Sequence, residues 1–169
     1  MKRTGMLMWV LLGLFLMVAV TAMADDKKTG EKAMPGADAA ALWAYIHGPS
    51  PYWNWVHWPD RPGLYKGREP HGALLQTFVN KTAQRGVYGM RGVVDAGGII
   101  VKENYMPGPT LAAITVMYKI KGYNSDKGDW FWVKYGANGK ILKSGKPAGC
   151  IGCHGAQKMN DFIMTSLIR

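Results

Sequence analysis

Both cysteines of the chain sit in one motif, Cys150-Ile151-Gly152-Cys153-His154, which is C-x-x-C-H, the attachment signature of a c-type haem. Positions i, i+3 and i+4 share one face of a helical turn. Two thiols then reach the haem vinyl groups while the next imidazole reaches the iron. Three other chemistries use paired cysteines. A structural zinc site needs four ligands and usually a second cysteine pair, which this chain lacks. A thioredoxin-like redox pair expects a βαβ setting and no adjacent His. A simple disulfide across the two intervening residues is the third. An exported chain whose only cysteines occupy this motif fits one covalent haem c best, with His154 on the iron.

The motif lies near the end of the chain, and only Met159 and Met164 follow it as thioethers. Met159 is too close to His154 to swing to the opposite face of the ring. A sixth iron ligand would have to come from upstream, from Met90, Met106 or Met117, or from His47, His57 or His71. Taken singly, each is more often a core or surface residue than a ligand. An open sixth position is therefore expected, and open iron serves ligand binding or catalysis rather than electron transfer alone.

Lys102 is the other residue of chemical interest. In Ile99 to Tyr105, alternation puts Ile100, Lys102 and Asn104 on one face, and Ile99, Val101, Glu103 and Tyr105 on the other. A lysine in so apolar a stretch reads as an edge-strand residue pointing to solvent or pairing with a neighbouring carboxylate. Alternatively it is a desolvated, nucleophilic amine in a haem pocket, able to attack the porphyrin edge under oxidising conditions.

These residues must be positioned by the elements around them. Asp38 is a good N-cap for an Ala-rich helix that ends at His47-Gly48-Pro49. From Tyr52 to His71, Trp53, Trp55, Trp58 and Tyr65 lie among five proline and glycine breaks, which excludes a long helix or a central strand. That segment either covers a sheet face or walls a flat cofactor. Strands are expected over Ala73 to Val79, Ile99 to Tyr105, Leu111 to Lys121, Trp130 to Tyr135 and Lys140 to Leu142. Asn80 caps a short helix through Lys81, Ala83 and Arg85, and Asn138-Gly139 marks a hairpin. Asn160 or Asp161 is expected to cap a last helix, Phe162 to Ile168. The class is α+β: mainly antiparallel sheet, a few short helices and a C-terminal haem-attachment segment.

The N-terminus reads as a targeting signal. Lys2 and Arg3 precede the apolar run Met6 to Val20, and Ala22-Met23-Ala24 offers a cleavage site. Residues 1–24 are taken as a signal peptide, 25–36 as a flexible leader and 37–169 as the haem domain. Export to the periplasm follows, with no stable membrane span once the signal is cleaved. The chain has 169 residues, of which 48% are apolar and 19% charged, which excludes a wholly disordered protein. Its net charge of +10 comes from lysines and arginines scattered singly, and with export this argues against nucleic acid. It forms either a solvated basic surface or a docking face for an acidic redox partner.

Pro70-His71-Gly72 with Thr77-Phe78-Val79-Asn80, Gly98-Ile99-Ile100-Val101-Lys102-Glu103, Gly128-Asp129-Trp130 and the C-terminal C-x-x-C-H occur here in one order. That ordered set resembles the cytochrome P-460 family over about Leu42 to Leu167. The resemblance implies a predominantly β-sheet c-type cytochrome, usually a homodimer, with five-coordinate haem. In the founding type a lysine is joined to a haem meso carbon, and the enzyme oxidises hydroxylamine. A sister branch, the cytochromes c′-beta, lacks the crosslink and binds nitric oxide and carbon monoxide. Position by position, Cys150 and Cys153 match the thioether residues, His154 the proximal ligand and Lys102 the crosslinking lysine. The family's distal glutamate has no counterpart, since Met117 or Thr115 stands there. Glu103 would take its place only if a bulge turned it inward. Phe78, Trp130 and Trp132 are candidates to line the distal side. The resemblance implies oxidation of hydroxylamine or a related small nitrogen compound, with electrons passed to a soluble redox partner. The alternatives are a gas-binding c′-beta-like protein and a six-coordinate electron-transfer cytochrome.

Overall fold

A computed structural model describes residues 33–108 and 110–169. The signal-peptide reading lies outside the described residues, as does all but the end of the leader. At that end the Pro35 carbonyl accepts a 2.6 Å hydrogen bond from the Tyr118 hydroxyl. Among the described residues no helix is long and apolar enough to cross a membrane.

The described residues form a seven-stranded antiparallel sheet with three short α-helices, the expected α+β class. Helix α1 (Ala39–His47) begins where the Asp38 carboxylate accepts from the Ala41 amide. Two-residue strands β1 (Val56–His57) and β2 (Tyr65–Lys66) both pair with β3 (Leu74–Val79). They emerge inside the Pro-rich segment, where strand pattern is too short to see. Helix α2 (Lys81–Tyr88) crosses to β4 (Ile99–Tyr105), and β5 (Leu111–Lys119), β6 (Trp130–Gly136) and β7 (Ile141–Gly145) complete a meander. Helix α3 (Ala148–His154) carries the C-x-x-C-H motif and runs into a 3-10 turn, Gly155–Asn160.

Both faces of the sheet are buried, and alternation decides what each face buries. Ile99, Val101, Ile114, Val116, Phe131 and Tyr135 meet Leu42 and Ile46 of α1. On the other face, Ile100, Trp130 and Trp132 meet Val87 of α2 and the tail residues Phe162, Ile163 and Ile168. The aromatic Pro-rich segment covers the sheet on both faces, and its Trp58 also lines a cavity. Tyr52 and Trp55 pack on the α1 core, while the fully buried Trp58 packs in the other.

The expected helix over Phe162 to Ile168 does not form. Asp161 and Phe162 take left-handed conformations, with φ of 53° and 63°. The Asn160 side chain then bonds the Ile163 carbonyl, the Ser166 carbonyl and the Ile168 amide. Tertiary packing and one asparagine thus outweigh local helix preference.

Asn80 is the busiest cap. Its Oδ1 accepts from the Ala83 and Ile99 amides, and its Nδ2 donates to the Gly97 carbonyl. Loss of the cap and of two cross-links at about 1 kcal/mol each predicts that Asn80→Ala lowers unfolding free energy by about 2–3 kcal/mol. Asn80→Asp, which keeps both acceptor bonds, should lose less. Urea titration of the two variants checks the order.

Candidate haem site

The antiparallel register stacks side chains into rows across the second face. Ile100, Met117, Trp132 and Gly145 are consecutive register partners and make an apolar row. Lys102, Thr115, Lys134 and Lys143 make the next, a polar and cationic one. Lys102 is therefore on a central strand, not an edge. Helix α3 and residues 163–165 roof this face and close a cavity of about 300 Å³, lined by Trp58, Lys102, Met117, Trp132, Cys150 and His154 among others. A second cavity shares Lys102, His71 and His154 with it and opens past Arg61, Lys66 and Arg68.

His154 is buried, and its Nδ1 lies 2.7 Å from the Phe162 carbonyl oxygen. A carbonyl only accepts, so Nδ1 carries the hydrogen and Nε2 keeps its lone pair, the tautomer a metal ligand needs. Burial lowers the His154 pKa, which keeps the ring neutral. Cys150 and Cys153 are free thiols on the same short helix, the first half-buried and the second exposed. Burial pushes the Cys150 thiol up. The ring of Trp132 stands edge-on to His154 at 4.6 Å.

Of the upstream histidines, only His71 reaches the cavity; its ring is 6.1 Å from that of His154. The Asn104 amide nitrogen donates to the Lys102 and Ala113 carbonyls, so its oxygen faces His71 Nδ1 at 2.9 Å. His71 thus donates from Nδ1 and keeps Nε2 as an acceptor. Burial first, and Lys102 second, lower its pKa to about 4. The Pro-rich setting of His71 gives no periodicity that would have singled it out. Met164 also lines the cavity, another residue the motif argument leaves aside. Lys102 Nζ donates only to the Thr165 hydroxyl, at 3.3 Å, and burial first, then Arg68, lower its pKa to about 8.

Other candidates lie elsewhere. Phe78 pairs with Val101 and packs in the α1 core, across the sheet from the cavity. The strand's parity excludes it. Glu103 is on that same far face, where it accepts from the Tyr52 and Tyr105 hydroxyls. The register shift falls after it, between Asn104 and Tyr105, so no bulge turns it inward. Trp130 is on the cavity side but packs under the tail, where Nε1 bonds the Asp161 carbonyl. His47 stacks on Trp43, His57 bonds Gln76, and Met90 and Met106 are exposed.

The residues present fit a haem. The floor is apolar in one row and cationic in the next, matching an apolar macrocycle that carries two carboxylates. Trp132 Nε1 is a buried donor without a partner, two residues along β6 from Lys134. Lys134 lies directly across from Lys143, and like charges so placed repel until an anion sits between them. These three donors are suited to haem carboxylates. Zinc is poorly served: among the described residues no three His, Cys, Asp or Glu side chains converge as a metal cluster.

An antiparallel sheet roofed by a C-x-x-C-H helix, whose histidine presents Nε2 to an apolar slot, defines a c-type haem cytochrome. The sequence model described as Cytochrome P460 matches residues 49–165, and the chain belongs to that family. No curated protein matches the chain.

The shift of Lys102 has a measurable sign. Its ammonium form is disfavoured in the fold, so between about pH 8 and 10.5 the unfolded chain binds more protons and stability from this group rises with pH. In haem-free protein the Lys102 Nζ resonance should titrate with a midpoint near pH 8. A midpoint at the ordinary lysine value of 10.5 would contradict the desolvated placement.

Proposed function

We propose that the protein is an exported monohaem cytochrome that oxidises hydroxylamine or a related small nitrogen compound and passes the electrons to a soluble redox partner. In this reading residues 1–24 direct export to the periplasm, residues 37–169 form the haem domain, and the working form is a homodimer. Cys150 and Cys153 hold the haem through thioethers, and His154 Nε2 ligates the iron. The haem, when bound, supplies an open coordination position and an electron sink.

The observation that carries the reading is Lys102. Its amine faces the cavity from a central strand and has a hydroxyl as its hydrogen-bond partner in place of a carboxylate. A neutral lysine amine in a water-poor pocket is a nucleophile. Joining it to the macrocycle edge replaces one Nζ–H and one ring C–H, with two electrons and two protons passing to a two-electron oxidant. Ile100, Met117 and Trp132 would give the macrocycle an apolar floor that keeps water from it. The family's distal carboxylate is replaced in function by His71, whose neutral ring accepts the substrate's protons at Nε2 while Asn104 holds Nδ1. A positioned acceptor of this kind is worth on the order of 10²–10⁴-fold in rate.

One observation favours the second reading, a nitric oxide or carbon monoxide carrier: among the described residues no carboxylate lines the cavity that holds Met117 and Trp132. The absorption spectrum of the dithionite-reduced protein separates the two. A Soret band red-shifted from ordinary c-haem, lost in Lys102→Leu together with hydroxylamine oxidation, is the expected result. His71→Ala should keep haem loading and the red-shifted band and lower turnover by about 100-fold or more. Tight nitric oxide binding without hydroxylamine turnover would favour the carrier. A low-spin ferric spectrum that His71→Ala converts to high spin would make His71 a sixth ligand and the protein an electron-transfer cytochrome.

A further inference from the structure

The sheet's second face buries one ion pair that the haem chemistry does not use. Lys119 Nζ lies 2.5 Å from Asp161 Oδ1, with both side chains almost wholly excluded from solvent. Lys119 also donates to the Gly128 carbonyl at 2.7 Å and lies over the Trp130 ring at 4.2 Å. Asp161 is held at three points: Oδ1 by Lys119, Oδ2 by the Val94 amide at 2.8 Å, and its carbonyl by Trp130 Nε1 at 2.9 Å.

A buried pair like this adds little net stability compared with well-packed apolar residues, but it defines position, because each charge must find the other. What it positions is unusual. Asp161 and the next residue, Phe162, are both left-handed, a conformation that bulky side chains avoid. Consecutive residues of this kind persist only where their surroundings over-determine them. The Phe162 ring packs against Gly128, where an added Cβ would come within 2.9 Å of it. The Phe162 carbonyl is the acceptor for His154 Nδ1. The partner of a ligating imidazole's second nitrogen sets ring orientation and ligand basicity.

We propose that Lys119 and Asp161 are positioning residues for the iron ligand: their ion pair fixes the Asp161-Phe162 turn so that the Phe162 carbonyl accepts from His154 and sets the strength of the iron–histidine bond. The inference rests on reading His154 as the ligand. It concerns residues that line neither cavity, on β5 and in the tail.

The test uses the haem-loaded protein and two readouts that a purely structural role would leave in place: the ferrous iron–histidine stretching band by resonance Raman, and the reduction potential. Asp161→Asn alone strands a buried ammonium, so the main variant is Lys119→Met with Asp161→Asn, which removes both charges. A loosened carbonyl makes His154 a weaker donor. The band should move to lower frequency and the potential should rise, with the haem still attached. Gly128→Ala approaches the same carbonyl through the Phe162 ring with both charges left in place, although its own carbonyl accepts from Lys119, and should shift both readouts the same way. Band and potential unchanged in either folded, haem-loaded variant would overturn the proposal. A wild-type protein with no iron–histidine band would overturn the reading of His154, and the positioning role with it. A wild-type band that the double variant leaves unmoved overturns the positioning role alone.

Discussion

The register between β4, β5 and β6 is the constraint on which the site depends. A slip of one residue would send Lys102, Met117 and Trp132 to the α1 side and bring Val101, Val116 and Val133 to the haem side. Such a slip is blocked twice over. Each face carries its own buried cluster, so an exchange would set Glu103 against the cavity and Lys134 against the α1 core. The Asn138-Gly139 turn, with Gly139 at φ 83°, fixes where β6 passes into β7. Because the rows are set by backbone pairing, the cavity's apolar and cationic stripes are as rigid as the sheet itself.

The roof is a different matter. Helix α3 has seven residues, two of them internal glycines, and Pro147 gives it no side-chain cap. A helix so short does not hold together alone in water. Its order comes from Ile151 and Cys150 packed against the second core, and from the His154 bond to the tail. The tail in turn is tied down by Asn160, by Trp58 Nε1 on the Ser166 hydroxyl, and by the Gly92 amide on the Ile168 carbonyl. Thioether bonds to a haem would add covalent anchors to the element that most lacks support of its own. Floor and roof are thus built on different principles: one by pairing, the other by side-chain tethers and cofactor.

How much of this was legible in the sequence follows from the same division. Alternation in Ile99 to Tyr105 placed Lys102 and Glu103 on opposite faces, and the structure keeps them there. The Asp38 and Asn80 caps, the hairpin and the haem motif are local patterns, and each forms where expected. Phe78 was misplaced because its face depends on pairing with Val101, a partner 23 positions along the chain by the register of β3 and β4, which local pattern does not contain. Lys102 read equally well as an edge residue until its neighbours on both sides were known. The tail was misread for another reason: the left-handed turn at Asp161 is stabilised by Lys119, Val94 and Trp130, none of them near it in sequence. His71 sits among prolines and glycines, and only the assembled pocket shows that its ring stands beside that of His154.

The electrostatics of the assembled pocket constrain what can enter it. Lys102, Lys134 and Lys143 line the cavity, and Arg61, Lys66 and Arg68 flank the adjoining one, where Glu69 is the single carboxylate. Such a field repels cations and raises the local concentration of neutral and anionic molecules. Burial first, and the Lys102 charge second, oppose protonation of His71 and lower its pKa to about 4. On the proposed reading, a small amine derivative would enter in its neutral free-base form and meet a proton acceptor in His71, whereas its protonated form would be disfavoured by the surrounding lysines. Lys134 and Lys143 are suited to the haem carboxylates, and with a carboxylate between them their field would be largely spent. Any such filter would then rest on Lys102 and on Arg61, Lys66 and Arg68 of the adjoining cavity, and the Lys102 share would end wherever its amine is neutral.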